Sequence, residues 1–353
     1  MKSFKKVNCL DLEENMILAK DIYVNNVKIL TENTKLSMRA IKKLKSLYTE
    51  PYVYIYESLD PIQFEANKTK NSIAYKQTEE NLKKFSDGAK VIFNKVDTAS
   101  KIEVSEIREI TDNIFAELSN VGIVIKNLID GGNKDDYLFR HSVNVSVLCA
   151  MIGKWLKLDK RDAVILTYGG FLHDIGKIKI NQDVLNKSTT LDKKEFKEIK
   201  QHPIRGYEIV KLIPYLDQRV ELSTLLHHER IDGSGYPFNF KGEKIPTFAK
   251  IVSIADTFDA ITSNRCYKAK QCPLKALEIL KEESFNKLDP SLCDIFVKNM
   301  VTYYTGEYVS LSDGSNGKIV KLDPYDITHP LVARENDFVD LRINRDLTVT
   351  DIL

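Results

Sequence analysis

The feature that most constrains this chain is a short stretch, FLHDIGKI, at residues 171–178. His173 and Asp174 stand side by side just before Gly176, a residue that can end a helix, so two kinds of metal ligand fall at one helix terminus. Lys177 follows within one turn. A lone His-Asp pair is commonly a surface or capping pair. Here, however, five of the six histidines lie in one central segment: His141, His173, His202, His227 and His228.

Helical patterning places these histidines near helix ends or on a core face. His141 lies on the apolar face of its predicted helix. His202 precedes a proline that suits the first helical position, so it is expected at the N-cap. Residues 227–228 close a helix that begins near 222, and they open the segment HHERIDGSGYP. Asp256 and Asp259 are three residues apart and point the same way from a later helix.

Together these elements supply five imidazoles and two carboxylates, namely His141, His173, Asp174, His202, His227, His228 and Asp256. One divalent ion takes four to six ligands, so seven suit two ions that share one carboxylate. Asp174 is the natural bridge. Two metals about 3.5–4 Å apart can hold a hydroxide between them and clamp a phosphate for in-line displacement. A thiolate-free, imidazole-rich set favours iron, manganese, zinc or nickel over magnesium or calcium.

The histidine and aspartate motifs resemble those of the HD superfamily of metal-dependent phosphohydrolases. The His202-Pro203 pair, the 227–230 segment HHER and the 235–237 segment GYP resemble its HD-GYP branch, and the similarity runs from about 137 to 270. The resemblance implies a helical fold and a metal-dependent phosphodiesterase that hydrolyses cyclic di-GMP to linear pGpG, GMP or both. It also implies two divalent ions per chain, of which iron and manganese are favoured, with zinc and nickel left open.

Carried over residue by residue, the family pattern assigns His141, His173, Asp174 and Asp256 to one metal and Asp174, His202, His227 and His228 to the other. It places Lys177 on the scissile phosphate, where an ammonium offsets charge that builds up in the transition state. Asp174 and Lys177 are thus the expected catalytic residues. The remaining expected substrate contacts are Tyr236, Asp259, Arg265 and Lys268.

Two tyrosines qualify this pattern. Tyr236 offers a stacking face for guanine and a hydroxyl for phosphate, but it would equally well only brace its loop. Some family members carry a glutamate four residues before the first histidine and use it for a third metal. This chain has Tyr137 there, so two metals are expected.

The patterning predicts a mainly α chain, with an HD-type helical core flanked by smaller units. Residues 1–57 are expected to form a small α/β regulatory or interaction unit, and residues 58–132 a helical linker and the start of the core. Residues 133–305 are the expected HD-GYP catalytic domain. Residues 306–353 alternate around Asp-Gly and Asn-Gly turns, which predicts a small antiparallel β unit. His329, in that unit, is expected in a turn without a chemical role.

Composition limits the partners. The 52 basic and 50 acidic residues nearly balance, which argues against wrapping duplex nucleic acid. No apolar run reaches the roughly 18 residues of a membrane span, and the start has no signal-peptide core, so no membrane insertion and a cytoplasmic location are expected. The five cysteines are dispersed, which argues against a disulfide framework. Homodimerisation and the signal or protein partner of the N-terminal unit are left open.

Two alternatives to cyclic di-GMP hydrolysis remain at this point. One is hydrolysis of a related cyclic dinucleotide such as cyclic GMP-AMP, because no residue of the motifs discriminates guanine from adenine. The other is a cyclic-dinucleotide receptor with little turnover. The intact set of seven ligands speaks against a receptor, since binding alone does not need a bridging hydroxide.

Overall fold

A computed structural model describes residues 4–14, 16–24, 27–30, 32, 34–47, 51–56, 72–98, 100–118, 121–130, 137–185, 187, 189–264, 270–334 and 337–353. Two of the expected substrate contacts, Arg265 and Lys268, lie outside the described residues. So do Asn25 and Asn26, which occupy the predicted hairpin turn.

The N-terminal unit is a small α/β structure, as predicted. Its strands are β1 (Phe4–Asn8), β2 (Ile22–Val24), β3 (Val27–Leu30) and β4 (Tyr52–Tyr56), and its helix is α1 (Met38–Leu47). Strands β1 and β4 pair antiparallel, as do β2 and β3. Alternating side chains of these strands pack on Leu18, Ile41 and Leu44 in a core separate from that of the remaining chain.

Among the described residues from 72 to 130, the predicted helical stretch contains three helices: α2 (Ile73–Asn94), α3 (Val104–Glu117) and α4 (Val121–Asp130). Glu103 and Glu106 form a capping box that starts α3, and Ile107, Ile110 and Ile114 are buried on its predicted face. These helices share one hydrophobic core with the central helices. They are therefore part of the wall of the helical core.

The central helices carry the candidate site. They are α5 (Tyr137–Trp155), α6 (Lys160–Leu172), α7 (Gln182–Leu185), α8 (Lys193–Ile199), α9 (His202–Val210), α10 (Gln218–Leu226) and α11 (Thr247–Thr262), with a 3₁₀ turn at Ile175–Lys179. Aspartates cap three of these helices: Asp159 accepts from the N–H of Asp162, Asp192 from those of Lys194 and Glu195, and Asp217 from that of Arg219. Every residue of α5 from His141 to Gly153 is buried, which identifies it as the central helix.

Two further helices, α12 (Pro273–Glu283) and α13 (Pro290–Tyr304), lead to the C-terminal sheet. The sheet contains β5 (Tyr308–Leu311), β6 (Asn316–Asp323), β7 (Asp326–Ala333), β8 (Phe338–Asp340) and β9 (Val349–Ile352), in the order β8-β7-β6-β5-β9. All neighbours are antiparallel, and Val309, Ile319 and Val332 pack into the main core. The mainly α fold with a small β unit at its end is confirmed. His329 lies inside β7, not in a turn as the sequence suggested, and its Nδ1 is 2.5 Å from Asp326 Oδ1.

Within the residues described, no helix has both the length and the apolar character needed to cross a bilayer.

Candidate metal centre

All seven predicted metal ligands lie together in the buried interior of the helical core. They form two groups of potential ligand atoms, His141, His173 and Asp174 in one and Asp174, His202, His227 and His228 in the other. Asp174 belongs to both groups, and five helices contribute. Asp256 adjoins both groups, with Oδ1 3.1 Å from His141 Nε2 and Oδ2 3.9 Å from His228 Nδ1.

Three of the histidines are oriented in the same way by the ends of helices. The Nδ1 of His173 donates to the carbonyl of Gly170 at 2.7 Å, that of His202 to Ile199 at 2.7 Å, and that of His227 to Thr224 at 2.9 Å. Each acceptor belongs to the last turn of a helix, where carbonyls lack a partner within the helix. A neutral imidazole that donates through Nδ1 has its lone pair on Nε2. Three lone pairs therefore point into the centre.

His141 is held by side chains instead. Its Nδ1 is 2.6 Å from Asp259 Oδ2, and Asp259 Oδ1 accepts from Asn144 Nδ2 at 2.7 Å and from Ser263 Oγ at 3.2 Å. Asp259 is 1% exposed. Its two oxygens are thus both occupied by protein donors in a buried position, an arrangement that does not match the substrate contact expected from the family pattern. The geometry is that of a carboxylate orienting a metal-binding histidine.

The contacts around Asp174 favour a bound cation. Its Oδ1 is 3.2 Å from His202 Nε2 and 3.8 Å from His227 Nε2, and those two nitrogens are 3.4 Å apart. The atoms are acceptors in the tautomers set by the helix-end carbonyls, so a cation between them would relieve their mutual repulsion. Asp174 Oδ1 is buried and has no hydrogen-bond partner within the described part of the chain. The donor set of imidazoles and carboxylates therefore fits divalent transition metals.

The protonation states also suit metal binding. Burial holds the pKa values of His202, His227 and His228 below the ordinary imidazole value, so these rings are neutral. Burial disfavours the charged carboxylates, but cationic neighbours, Lys177 for Asp174 and His141 for Asp256, hold both pKa values well below the usual range. Burial likewise opposes a charge on His141, yet the hydrogen bonds that its ring donates to the carboxylates of Asp174, Asp256 and Asp259 raise its pKa to about 10. The three carboxylates thus favour a proton on His141, and a bound metal would neutralise their negative charge in the same way.

Gly176 brings the two ligand groups together by close backbone contact. A Cβ on this residue would lie 2.0 Å from the carbonyl oxygen of His202 and 2.5 Å from the nitrogen of Gly206. Only glycine lets the turn after Asp174 pack directly on the start of α9. The sequence suggested that Gly176 ends a helix, but its main role is to allow Asp174 and His202 to meet.

Lys177 lies beside the bridging carboxylate. Its Nζ forms an ion pair with Asp174 Oδ2, and the side chain is mostly buried. An ammonium at this place faces the region in which a phosphate held by the ligand groups would sit. Its expected contact with substrate thus has a suitable position but remains a prediction.

The segment after the His227-His228 pair is fixed by Glu229. The carboxylate, 2% exposed, accepts from the N–H of Phe238 at 2.7 Å and from that of Phe240 at 3.0 Å. Gly235 packs against the backbone of the same segment, since a Cβ on this residue would lie 2.4 Å from the backbone nitrogen of Arg230. The loop that contains Gly235 is therefore held against the ligand-bearing segment by two contacts, one from Glu229 and one at Gly235.

Two tyrosines contact the ligands. Tyr236 stacks on His228 with ring centroids 4.6 Å apart, so it does brace a ligand, and whether it also stacks on substrate stays a prediction. Tyr137 stacks on His141, with ring centroids 5.3 Å apart. A phenol ring at this position adds no anionic ligand.

Comparison with known proteins identifies the central segment. A family model described as the HD domain matches residues 124–292. This segment is an HD domain. The match includes every predicted ligand.

One curated relative of this chain is a cyclic di-GMP phosphodiesterase of Pseudomonas aeruginosa, which is 32% identical over 62% of this chain and 53% of the relative. Another is a 3′3′-cGAMP-specific phosphodiesterase of Vibrio cholerae, 31% identical over 53% of this chain and 43% of the relative. The chain thus spans about half the length of these curated relatives. Among solved structures, an HDG"Y"P protein of Bdellovibrio bacteriovorus has the same fold, with a TM-score of 0.54, 17% identity, and coverage of 84% of this chain and 99% of that one.

Sequence patterns did not reveal the roles of Glu229 and Asn144. The position of each residue in the sequence, relative to the predicted ligands, nevertheless indicates its role. Glu229 directly follows two ligands in a loop, and Asn144 lies one helical turn after His141, where a side chain can reach the same neighbour.

Proposed function

We propose that this chain is a metal-dependent phosphodiesterase that hydrolyses cyclic di-GMP. One observation carries the proposal: the bridging position of Asp174 between two groups of ligands, which together contain His141, His173, His202, His227 and His228. A single mononuclear site would not need seven buried ligands. The similarity to curated cyclic-dinucleotide phosphodiesterases supports the same reaction class.

The division of labour follows the two groups. His141, His173, Asp174 and Asp256 would hold one ion, and Asp174, His202, His227 and His228 the other, iron or manganese in preference to zinc or nickel. When bound, the ions would supply a nucleophile from water and neutralise charge on the attacked phosphate. Water adds across one P–O3′ bond, which leaves a 5′-phosphate and a 3′-hydroxyl on linear pGpG, and a second hydrolysis gives GMP.

The other residues act on the substrate or on the ligands. Lys177 contacts the scissile phosphate and offsets the charge of the pentacoordinate transition state. Asp259 fixes the tautomer of His141, so that Nε2 faces the metal, and it does not contact substrate. Arg265 and Lys268 remain candidates for the second phosphate, and Tyr236 for a guanine base.

The domain limits predicted from the sequence fit this proposal. Residues 133–305 carry the ligands, and residues 58–132 contribute helices to the same core, as the packing of Phe93, Ile107 and Val124 supports. Residues 1–57, whose core is separate, act as the regulatory unit, and residues 306–353 form the closing β unit.

Metal analysis and product identification test the proposal. Protein loaded anaerobically with iron or manganese should bind two ions per chain and convert cyclic di-GMP to pGpG or GMP, whereas His173→Ala and Asp174→Ala should lose both metal and turnover. Intact cyclic di-GMP after incubation with the metal-loaded parent would refute it.

A second candidate substrate is 3′3′-cGAMP. The similarity to a 3′3′-cGAMP-specific relative at 31% identity favours it, and the described ligand groups do not read a base. Turnover of both dinucleotides measured side by side decides between the two: a kcat/KM at least tenfold higher for one substrate identifies it.

A further inference from the structure

Lys200 has an unusual environment beside the metal ligands. It caps the C-terminus of α8, two residues before His202. Its ammonium lies over two aromatic rings, 4.8 Å from the centroid of Phe196 and 5.0 Å from that of Tyr236. Phe196 is 50% exposed, whereas Tyr236 stacks on His228. The ammonium is thus at the rim of the site, one ring away from a metal ligand.

No carboxylate neutralises this ammonium. Lys177, by contrast, is paired with Asp174 at the ligand groups. Lys200 makes no ion pair with any residue that the structure describes, and only the two rings contact its charge. A cation–π contact with an exposed ring stabilises an ammonium less than a charge-assisted hydrogen bond to a phosphate does. The side chain can therefore exchange the rings for an anion at low cost.

The position of Lys200 indicates which anion this would be. The phosphate under attack would lie at the two ligand groups, beside Asp174 and Lys177. Lys200 Nζ lies 5.0 Å from the centroid of Tyr236, and that ring in turn stacks on His228 at 4.6 Å, so the ammonium stands outside the ligand groups. A cyclic dinucleotide carries a second phosphate on the opposite side of its ring, and with one phosphate at the ligand groups the second would lie away from them, on the side where an outer cation can reach it.

We propose that Lys200 is a specificity-determining residue that binds the phosphate which is not cleaved. The inference rests on the proposed function. Lys200 would thus select diesters with two phosphates, while Phe196 and Tyr236 keep its ammonium at the rim before substrate arrives.

Two substrates that differ in the second phosphate test this inference. Cyclic di-GMP has two phosphates, and bis(p-nitrophenyl) phosphate has only the scissile one. In metal-loaded protein, Lys200→Met should raise KM for cyclic di-GMP about 10- to 100-fold, the effect of losing one charge-assisted contact. It should leave kcat/KM for bis(p-nitrophenyl) phosphate and the metal content unchanged, and Lys200→Arg should retain most of the affinity for cyclic di-GMP.

Lys197→Met is the matched control, because Lys197 is an exposed lysine on the same helix and its loss changes the net charge equally. It should leave both substrates unaffected. Equal loss on both substrates, loss of metal, or unchanged KM in Lys200→Met would overturn the assignment.

The dissociation constant of cyclic di-GMP, measured by calorimetry, separates this inference from the proposed function. If the parent binds cyclic di-GMP without cleaving it, the proposed function fails. A dissociation constant that is 10- to 100-fold higher in Lys200→Met than in the parent would still support the subsite. A parent that neither binds nor cleaves cyclic di-GMP refutes both.

Discussion

Replacing Asp259 by asparagine separates the role predicted from the sequence from the one that the structure supports. In the structure, Asp259 accepts hydrogen bonds from His141 Nδ1 at 2.6 Å and from Asn144 Nδ2 at 2.7 Å. An asparagine has one acceptor oxygen for these two donors. Either His141 or Asn144 must then face an NH₂ group in a buried position, with an unsatisfied donor as the result.

The magnitude follows from the role of such partners. Removing the carboxylate that orients a metal-binding histidine typically weakens metal affinity 10- to 100-fold, or about 1.4–2.8 kcal/mol. We therefore expect Asp259→Asn to lower the affinity of the metal site by this factor. Competition with a coloured chelator measures the dissociation constant, and elemental analysis after dialysis gives the metal retained.

Kinetics at saturating metal then provide the contrast. A positioning role predicts that activity largely recovers when metal is in excess, with KM for cyclic di-GMP close to that of the parent. A substrate contact predicts unchanged metal affinity and a raised KM. The second pattern would refute the assignment of Asp259 to His141. Ser263→Ala is a matched control, because its hydroxyl makes only a 3.2 Å contact with the same carboxylate and its loss leaves both strong donors satisfied.

Four further predictions follow from the site and its supports. Glu229→Gln replaces the charged acceptor of two backbone N–H groups by one neutral oxygen and leaves the other N–H facing an NH₂ group, so the protein should lose about 1.5–3 kcal/mol of stability and the amides of 238–240 should exchange faster with deuterium. Gly176→Ala should cost about 3 kcal/mol or more in denaturant unfolding because its Cβ meets backbone atoms, whereas Gly122→Ala, with open space around it, should cost nothing. Lys177→Ala should keep both metals by elemental analysis and lose most turnover; loss of metal would contradict its assignment to the phosphate. A chelator should lower the melting temperature, because ions at 100 times their dissociation constant stabilise the folded state by about 2.7 kcal/mol.

The seven candidate ligands that the structure brings together were accessible from the sequence because most of them belong to a local signal. Helix periodicity placed His141 on a core face, and a proline and a glycine-rich loop marked the helix ends that carry His202 and His227. These signals extend over a few residues, so they survive without knowledge of the tertiary structure. The helix Val121–Asp130 was less accessible, since it is only 10 residues long.

Roles that depend on contacts between distant parts of the chain were not predictable in this way. Asp259 lies 118 positions from His141, and its two donors come from a helix that periodicity cannot place beside it. Gly176 reads as a helix terminator until α9 is known to pass within backbone contact. The positioning role that we propose for Asp259, in place of a substrate contact, thus depends on tertiary packing, and the pattern of one helix carries no information about that packing.

The three histidines with main-chain partners explain why this site can be assembled from helix ends at all. The carbonyls of Gly170, Ile199 and Thr224 belong to final helical turns and would otherwise need water or another donor. The Nδ1 of the following histidine satisfies each one, and the same hydrogen bond turns Nε2 towards the centre. One interaction thus caps a helix and sets the tautomer of a ligand. Since the caps form only when the helices end where they do, the orientation of these histidines is established by folding of the core, and a metal held by them would in turn stabilise three helix termini.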